Sequence, residues 1–474
     1  MKIKLLGLNS KKYIEKQIQI CAAAGKLSRM PGTVFDAVAS MEDYDKALKF
    51  IKRVIGMGHT STIDHDYMVF ALSGVSPLVE QTIIEERFSS FTIKSRREVD
   101  FSNVGFIIPD FHDENGNLLE NNQKLKNKYK KHMKSLFANY QKLVNASIPI
   151  EDARFVLPYS FHSEIIMGLD GTSLARMIIN LTKGKNSKIT ELKELGDKLY
   201  EIAKVRAPYV IELIEKEEYK DTEIENILND YVKPRKYELI KVPKLLSHTE
   251  NIDKTLITNA ISRIYALSYE DSEKIYNNTI SKDEKLMSGL MKTICNDRVH
   301  EDLKQINMRF EFSIPFSILT HITRHRRNSL SIPEFVPNVD LIKYIIPPSI
   351  EKSELKTFYD EIFLTNKKIY DEFKKEKIRE EDLVYFTLGG NAINIIVNFD
   401  GEALRWFLRL RECTKAQWCI RNIAVNMHNE ISKVSKYYSA NLGPDCVTKH
   451  ICGEGKESCG RINAILTALD KETK

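Results

Sequence analysis

The 474-residue chain has no apolar run of about 18 residues, so no segment is predicted to cross a bilayer as a helix. Its first apolar stretch turns polar at Asn9, too soon for the core of a secretory leader, and none is expected. Cysteine is scarce and odd in number, seven in all, which argues against a disulfide scaffold and for a reducing cytoplasm. Charge of one sign is also lacking. Against 65 Asp and Glu stand 71 Lys and Arg, a formal +6 too dilute for a DNA or membrane surface, although local clusters can hold anions. Three common signatures are missing. No Gly-x-Gly-x-x-Gly follows a predicted strand, and no Gly-x-Ser-x-Gly elbow occurs. Gly453-Glu454-Gly455-Lys456-Glu457 has Glu457 where a P-loop needs a hydroxyl. The remainder is an ordinary balance of 42% hydrophobic and 29% charged residues, enough for sizeable cores, over a length that predicts two or three domains.

An internal repeat organises the chain. A helix pattern on Ala47, Phe50, Ile51, Val54 and Ile55 ends at Gly56. Next come Gly58 to His65, with His59, Ser61 and His65, then an apolar strand from Tyr67 to Leu72, then Gln81 to Ser90. The second half repeats the order. A helix pattern (Leu286, Leu290, Ile294) precedes His300-Glu301-Asp302, and a strand follows with Met308, Phe310, Phe312 and Ile314 on one face. His321 to Ser329 comes next. Arg87 and Ser90 lie 239 residues before Arg326 and Ser329, and His59 lies 241 before His300. Two copies of one domain are therefore predicted, 1–236 and 237–440, joined near Pro234 to Pro243 and followed by a Cys-rich tail, 441–474.

Each copy continues with a basic segment, Gln123 to Lys142 and Glu354 to Lys377, read as a solvated helix face. In the second copy Glu402 to Arg411 predicts a buried helix, and Thr414 with Gln417 marks the start of another through a capping box. Trp406 and Trp418 sit at helical spacing and read as core, as do Cys21, Cys295, Cys413 and Cys419. Strands and helices mix without regular alternation, so the fold class is α+β.

Two clusters could carry chemistry. Arg324-His325-Arg326-Arg327 follows an apolar strand and suits phosphate, which guanidinium forks bind bidentately; the plain alternative is an exposed turn. Ser95-Arg96-Arg97 offers a hydroxyl and guanidinia in the first copy. In the tail, Cys446, His450, Cys452 and Cys459 could supply four tetrahedral zinc ligands as a structural site, although the spacing matches no common finger and reduced, unligated thiols are the plain alternative.

The order His-x-Ser-x-x-x-His, apolar strand, Arg-His-Arg-x-x-Ser-x-x-x-x-Ser-x-Arg, then Leu-Arg-x-x-x-x-Ala-Gln-Trp resembles that of flavin-dependent thymidylate synthases. The resemblance covers nearly the whole chain as two tandem domains, each implied to be a mostly antiparallel sheet with packed helices. It implies FAD binding by Arg324, His325, Arg326 and Ser329, with Arg87 and Ser90 surviving in the first copy, where Glu85 and Glu86 replace the first two members of the triplet. It implies that Ser95 and Arg97 anchor the substrate phosphate, where the second copy has Glu334 and Val336, and that Arg411 contacts the pyrimidine, where the first copy reads Asn180-Leu181-Thr182. His65 is kept only in the first copy, the second having Ile306 or Asn307. His321 stands where the family has a substrate-side glutamine, and Thr92-Ile93 where it has Asn-Glu.

The implied chemistry is one-carbon transfer from methylenetetrahydrofolate to C5 of dUMP through reduced FAD, with NADPH as reductant, making dTMP without a cysteine nucleophile. A composite site is expected, Ser95 and Arg97 meeting Arg324, His325, Arg326 and Arg411. The opposite pairing would set Glu85, Glu86 and Glu334 against anions, at a cost on the order of 4 kcal/mol per close contact. Family tetramers suggest a homo-oligomer here, a dimer of two-domain chains. The alternatives are one-carbon transfer to another pyrimidine nucleotide or an RNA uracil, and a non-catalytic nucleotide-binding protein.

Overall fold

The computed structural model describes residues 1–7, 10–218, 224, 227–228, 231–232, 237–296, 301–334 and 339–464; His300, Val336 and Pro234 fall outside them. The chain forms two compact units. Unit 1 comprises Met1–Lys236 together with Phe335–Asn391, and unit 2 comprises Tyr237–Glu334 together with Ala392–Lys474. Compact units and sequence repeats thus differ, because a segment of the second copy packs within unit 1.

Each unit holds a four-stranded antiparallel sheet of one topology. In unit 1, β1 (Lys2–Leu6), β2 (Tyr67–Val75), β3 (Ser90–Ile93) and β4 (Ser163–Asp170) run in the order β1-β2-β4-β3. In unit 2, β5 (Lys244–His248), β6 (Asn307–Pro315), β7 (Ser329–Ser331) and β8 (Ala392–Asp400) run β5-β6-β8-β7. The alternation expected of β6 is real, since Met308, Phe310, Phe312 and Ile314 are all fully buried. Equivalent orders and packed helices bear out the α+β, duplicated architecture. Register refines it. Tyr67 pairs with Asp170 and Asn307 with Asp400, so the strand counterpart of His65 is Gln305, not Ile306 or Asn307.

Both copies turn from strand to helix in the same way. Asp170 caps the helix Gly171–Thr182 by accepting from Ser173 N at 2.7 Å, and Asp400 caps Gly401–Arg411 by accepting from Ala403 N at 2.6 Å. A Cβ on Gly171 would lie 2.7 Å from the Ile63 carbonyl, and one on Gly401 would lie 2.6 Å from that of Leu303. Only glycine lets these chains approach so closely.

The two basic segments do not form solvated faces only. Helix α1 (Asn122–Asn145) buries Leu125, Tyr129, Met133, Leu136, Tyr140 and Leu143, and α2 (Lys356–Lys374) buries Tyr359, Ile362, Phe363 and Phe373, all in unit 1. The lysines mark one face, while apolar residues three and four apart form another that is hidden by their density. One polar pair lies inside this core. His132 Nε2 lies 2.8 Å from Asn366 Oδ1, and Asn366 Nδ2 donates to the Phe386 carbonyl at 2.7 Å. Burial holds His132 below the usual histidine range, so its imidazole is neutral and Nε2 is the donor. Asn366→Leu removes the acceptor of one bond and the donor of the other, leaving two buried groups unpaired. The expected loss is about 2–4 kcal/mol of unfolding free energy, read from the urea midpoint, with the slope unchanged.

Candidate functional site

In unit 2, β6 leads into the helix α3 (Phe316–Thr323), and Arg324 is its C-terminal cap. A short helix therefore intervenes where the sequence suggested that the basic run follows the strand directly. A helix C-terminus is a favourable place for cations. Arg324, Arg326 and Arg327 are exposed, whereas His325 turns inward and is 8% exposed. Its ring meets Phe407 edge-to-face at 5.1 Å, and its Nε2 accepts from Arg411 Nε at 3.2 Å. Because arginine only donates, that bond needs a neutral imidazole with its proton on Nδ1. Burial, and then the charge of Arg411, push the His325 pKa down to about 3.

This group adjoins a cavity of about 920 Å³ whose cationic wall is Arg324, Arg326, Arg327, Arg405, Arg409 and Lys449. Glu402 also lines it and pairs with Arg327. Trp406, expected in the core, is instead 49% exposed at this wall, with the Arg409 guanidinium 4.8 Å above its ring. The helix turns Trp406 outward while Phe407 and Leu408 take the buried positions. His321 lies in the last turn of α3, half-buried, and Ser329 opens β7. A wall of guanidinium forks around a cavity of this size fits the pyrophosphate of a dinucleotide such as FAD.

Unit 1 has a different electrostatic character at the corresponding segment. Glu86 pairs with Arg176 at 2.8 Å, and Gln81 donates to Glu85 at 2.6 Å. Glu80, 1% exposed, takes Arg96 Nη1 at 2.7 Å. Arg87 is exposed, its guanidinium 5.6 Å from the Phe88 ring centre. Arg97 Nε donates to Glu151 Oε2 at 2.7 Å, and its backbone N–H to Ser95 Oγ at 3.2 Å.

One residue beside them was missed from the sequence. Arg154 is 3% exposed and donates through Nε to the Glu151 carbonyl at 3.1 Å, while its Nη2 is buried with no hydrogen-bond partner among the described residues. Burial, and then the charge of Arg96, lower its pKa to about 9, which leaves it cationic at neutral pH. The available signal was an arginine next to the apolar run Phe155-Val156-Leu157, at a place where the second copy has Val384.

Three further expectations change. Gln417 is itself the N-cap of the helix Trp418–Ser432, accepting from Cys419 N and Ile420 N, so Thr414 does not cap it. A side-chain amide oxygen aimed at the first free N–H groups does the work that the capping box assigned to the hydroxyl. In the tail, His450 is exposed with φ +57° and does not line the cavity that Cys446, Cys452 and Cys459 share. Among the described residues no group of three or more His, Cys, Asp or Glu stands ready to hold a metal ion. Cys413, expected in the core, lines that cavity, whereas Cys21, Cys295 and Cys419 are buried as expected.

Fold and site together define a duplicated α+β protein whose second copy lines a cavity with cationic side chains. Residues 11–209 and 244–435 match the model of the family described as thymidylate synthase complementing protein, and the chain belongs to that family. Among its relatives are flavin-dependent thymidylate synthases. That of Clostridium tetani is 29% identical over 238 residues, 46% of this chain and 92% of its own length. That of Pyrococcus furiosus is 29% identical over 126 residues, 26% of this chain and 49% of its own. That of Sulfurisphaera tokodaii is 34% identical over 111 residues, 23% of this chain and 43% of its own. The chain thus spans nearly all of the first and about half of the other two.

A histidine with a folded pKa near 3 refuses the proton that the unfolded chain accepts at about 6.5. Its contribution to stability is therefore full above pH 6.5 and falls as pH drops from there towards 3. Ring-nitrogen NMR should show the His325 imidazole neutral, protonated on Nδ1, at pH 5; a titration midpoint near 6.5 would contradict this geometry.

Proposed function

We propose that this chain is a flavin-dependent thymidylate synthase-type enzyme that transfers one carbon from methylenetetrahydrofolate to C5 of dUMP, with NADPH as reductant. The repeats 1–236 and 237–440 serve one reaction centre jointly, and the tail 441–474 follows them. The observation that carries the proposal is the Arg411–His325 hydrogen bond beside an arginine-lined cavity. The corresponding segment of the first copy is instead neutralised by Glu86 with Arg176. The names of the relatives support the reading.

Each residue then has a physical task. Arg324 and Arg326, with Ser329, hold the cofactor's phosphates through charge-assisted hydrogen bonds. His321 faces the substrate side, and Arg87 is a secondary cofactor contact from the first copy. When bound, FAD supplies the redox chemistry that carries the one-carbon unit. Ser95, Arg97 and Arg154 hold the nucleotide phosphate. An anion arriving there gives Arg154 Nη2 the acceptor that it otherwise lacks. Arg411, kept in orientation by a neutral His325, sets a guanidinium against negative charge developing on the pyrimidine ring. Phe407 helps exclude water from that bond and so strengthens it. The working assembly is a homo-oligomer, a dimer of two-domain chains acting in the cytoplasm.

The test is tritium release from dUMP labelled at C5, supplied with the folate, NADPH and FAD. Release is expected from the wild-type chain. Flavin binding without release would point to another pyrimidine nucleotide or an RNA uracil, and no flavin binding would point to a non-catalytic protein. Arg97→Ala and Arg411→Ala should each lower turnover by at least about 100-fold with the circular dichroism unchanged. Arg154→Met should act mainly on the KM for dUMP. Mixing the Arg97 and Arg411 variants should restore activity only if different chains supply the two arginines. Glu85→Gln should turn over at close to the wild-type rate, since Glu85 belongs to the neutralised segment.

A further inference from the structure

Four of the seven cysteines converge on one cavity of about 390 Å³ in unit 2, remote in function from the arginine wall. Cys413 comes from the turn just after Arg411, while Cys446, Cys452 and Cys459 come from the tail. The Cys446 thiol lies within electrostatic reach of the other three. All four are free thiols, and Cys452 Sγ lies 3.5 Å from the Ser458 hydroxyl.

We infer that these four cysteines form a structural site for a soft divalent cation, zinc by preference, with Cys413 as the fourth ligand in place of His450. Four sulfurs and no retained water make a closed tetrahedral set, the arrangement of structural rather than catalytic zinc. Thiolate ligands select zinc over magnesium or calcium. Binding one Zn²⁺ releases the thiol protons to solvent and leaves the S₄ set with two negative charges. Lys415, Arg421 and Arg461 line the same cavity and offset that charge. Of the two carboxylates there, Glu412 is already engaged by His428 Nδ1 at 2.8 Å.

The four side chains share the cavity lining without forming a ready ligand group among the described residues, so binding requires the tail to draw its thiols in. The tail ligands hang from a segment whose regular pieces are single turns, Asp445–Thr448 and Gly455–Glu457. Gly453, Gly455 and Gly460 punctuate it, and nothing lies within 4 Å of where a Cβ would sit on any of them. Unlike a spacing rule, which pairs neighbours in sequence, the fold supplies the distant fourth thiol. The ion would tie the turn that follows Arg411 to the tail.

Elemental analysis of the full-length chain, purified without chelator, tests this. About one zinc per chain is expected, falling at least tenfold in Cys413→Ser and in Cys459→Ser, and unchanged in His450→Ala. Because a cysteine variant could misfold, the wild-type chain provides a second readout: a mercurial titrant should release the zinc as it consumes four thiols. The inference is overturned by wild-type protein that holds no zinc even after incubation with zinc chloride. It is equally overturned by zinc that survives Cys413→Ser or is lost in His450→Ala, or by mass spectrometry showing these cysteines as disulfides.

Discussion

A neutral imidazole that must accept a hydrogen bond from an arginine is the constraint on which the site depends. Histidine beside a cation can do this only if burial is severe enough to keep it unprotonated, and Phe407 and the end of α3 provide that burial. The same burial makes the geometry rigid. Arg411 loses the freedom that a solvated arginine keeps, and its charge is presented in one direction. The flanking Arg324 and Arg326 stay exposed, so one short run divides into a fixed inward member and solvent-facing cations at the cavity wall. A run of four basic residues is thus two kinds of object, which only the fold separates.

Duplication left both copies with the same sheet, the same aspartate cap and the same tightly packed glycine, while their charges diverged. At the segment where the second copy keeps Arg324, His325 and Arg326, the first has Glu85 and Glu86, the latter bound to Arg176. Elsewhere the first copy gathers Arg97 and Arg154 about Glu151, at places where the second has Val336 and Val384. Backbone hydrogen bonds and close packing tolerate little change, because a Cβ at Gly171 or Gly401 would meet a carbonyl oxygen. Surface charge is under no such restriction, so the copies could drift apart in chemistry without drifting in shape.

Much of this was legible in the sequence where a single period dominates. The inward face of β6 follows from strict alternation, and the duplication follows from the near-constant offset of His59, Arg87 and Ser90 from their partners. The basic helices were legible only on their outer faces, since lysines outnumber the aromatic positions that pack inside. Arg154 was obscured because an isolated arginine next to Phe155 and Val156 carries no pattern, and its burial emerges only in three dimensions. Trp406 was misjudged because helical spacing says which residues share a face without saying which face is covered. Cys413 and the tail cysteines share a cavity through tertiary folding, and no local spacing reports that. Gln417 outcompeted Thr414 because cap geometry depends on where the helix begins, the least legible boundary in any sequence.

Residues 335–391 belong to the second repeat by ancestry and to unit 1 by packing. The chain therefore passes from one unit to the other at three places along its length, rather than once. The two repeats are thus not separable modules: excising the second would take part of unit 1's interior with it, and excising the first would strip residues 335–391 of the chain they pack with.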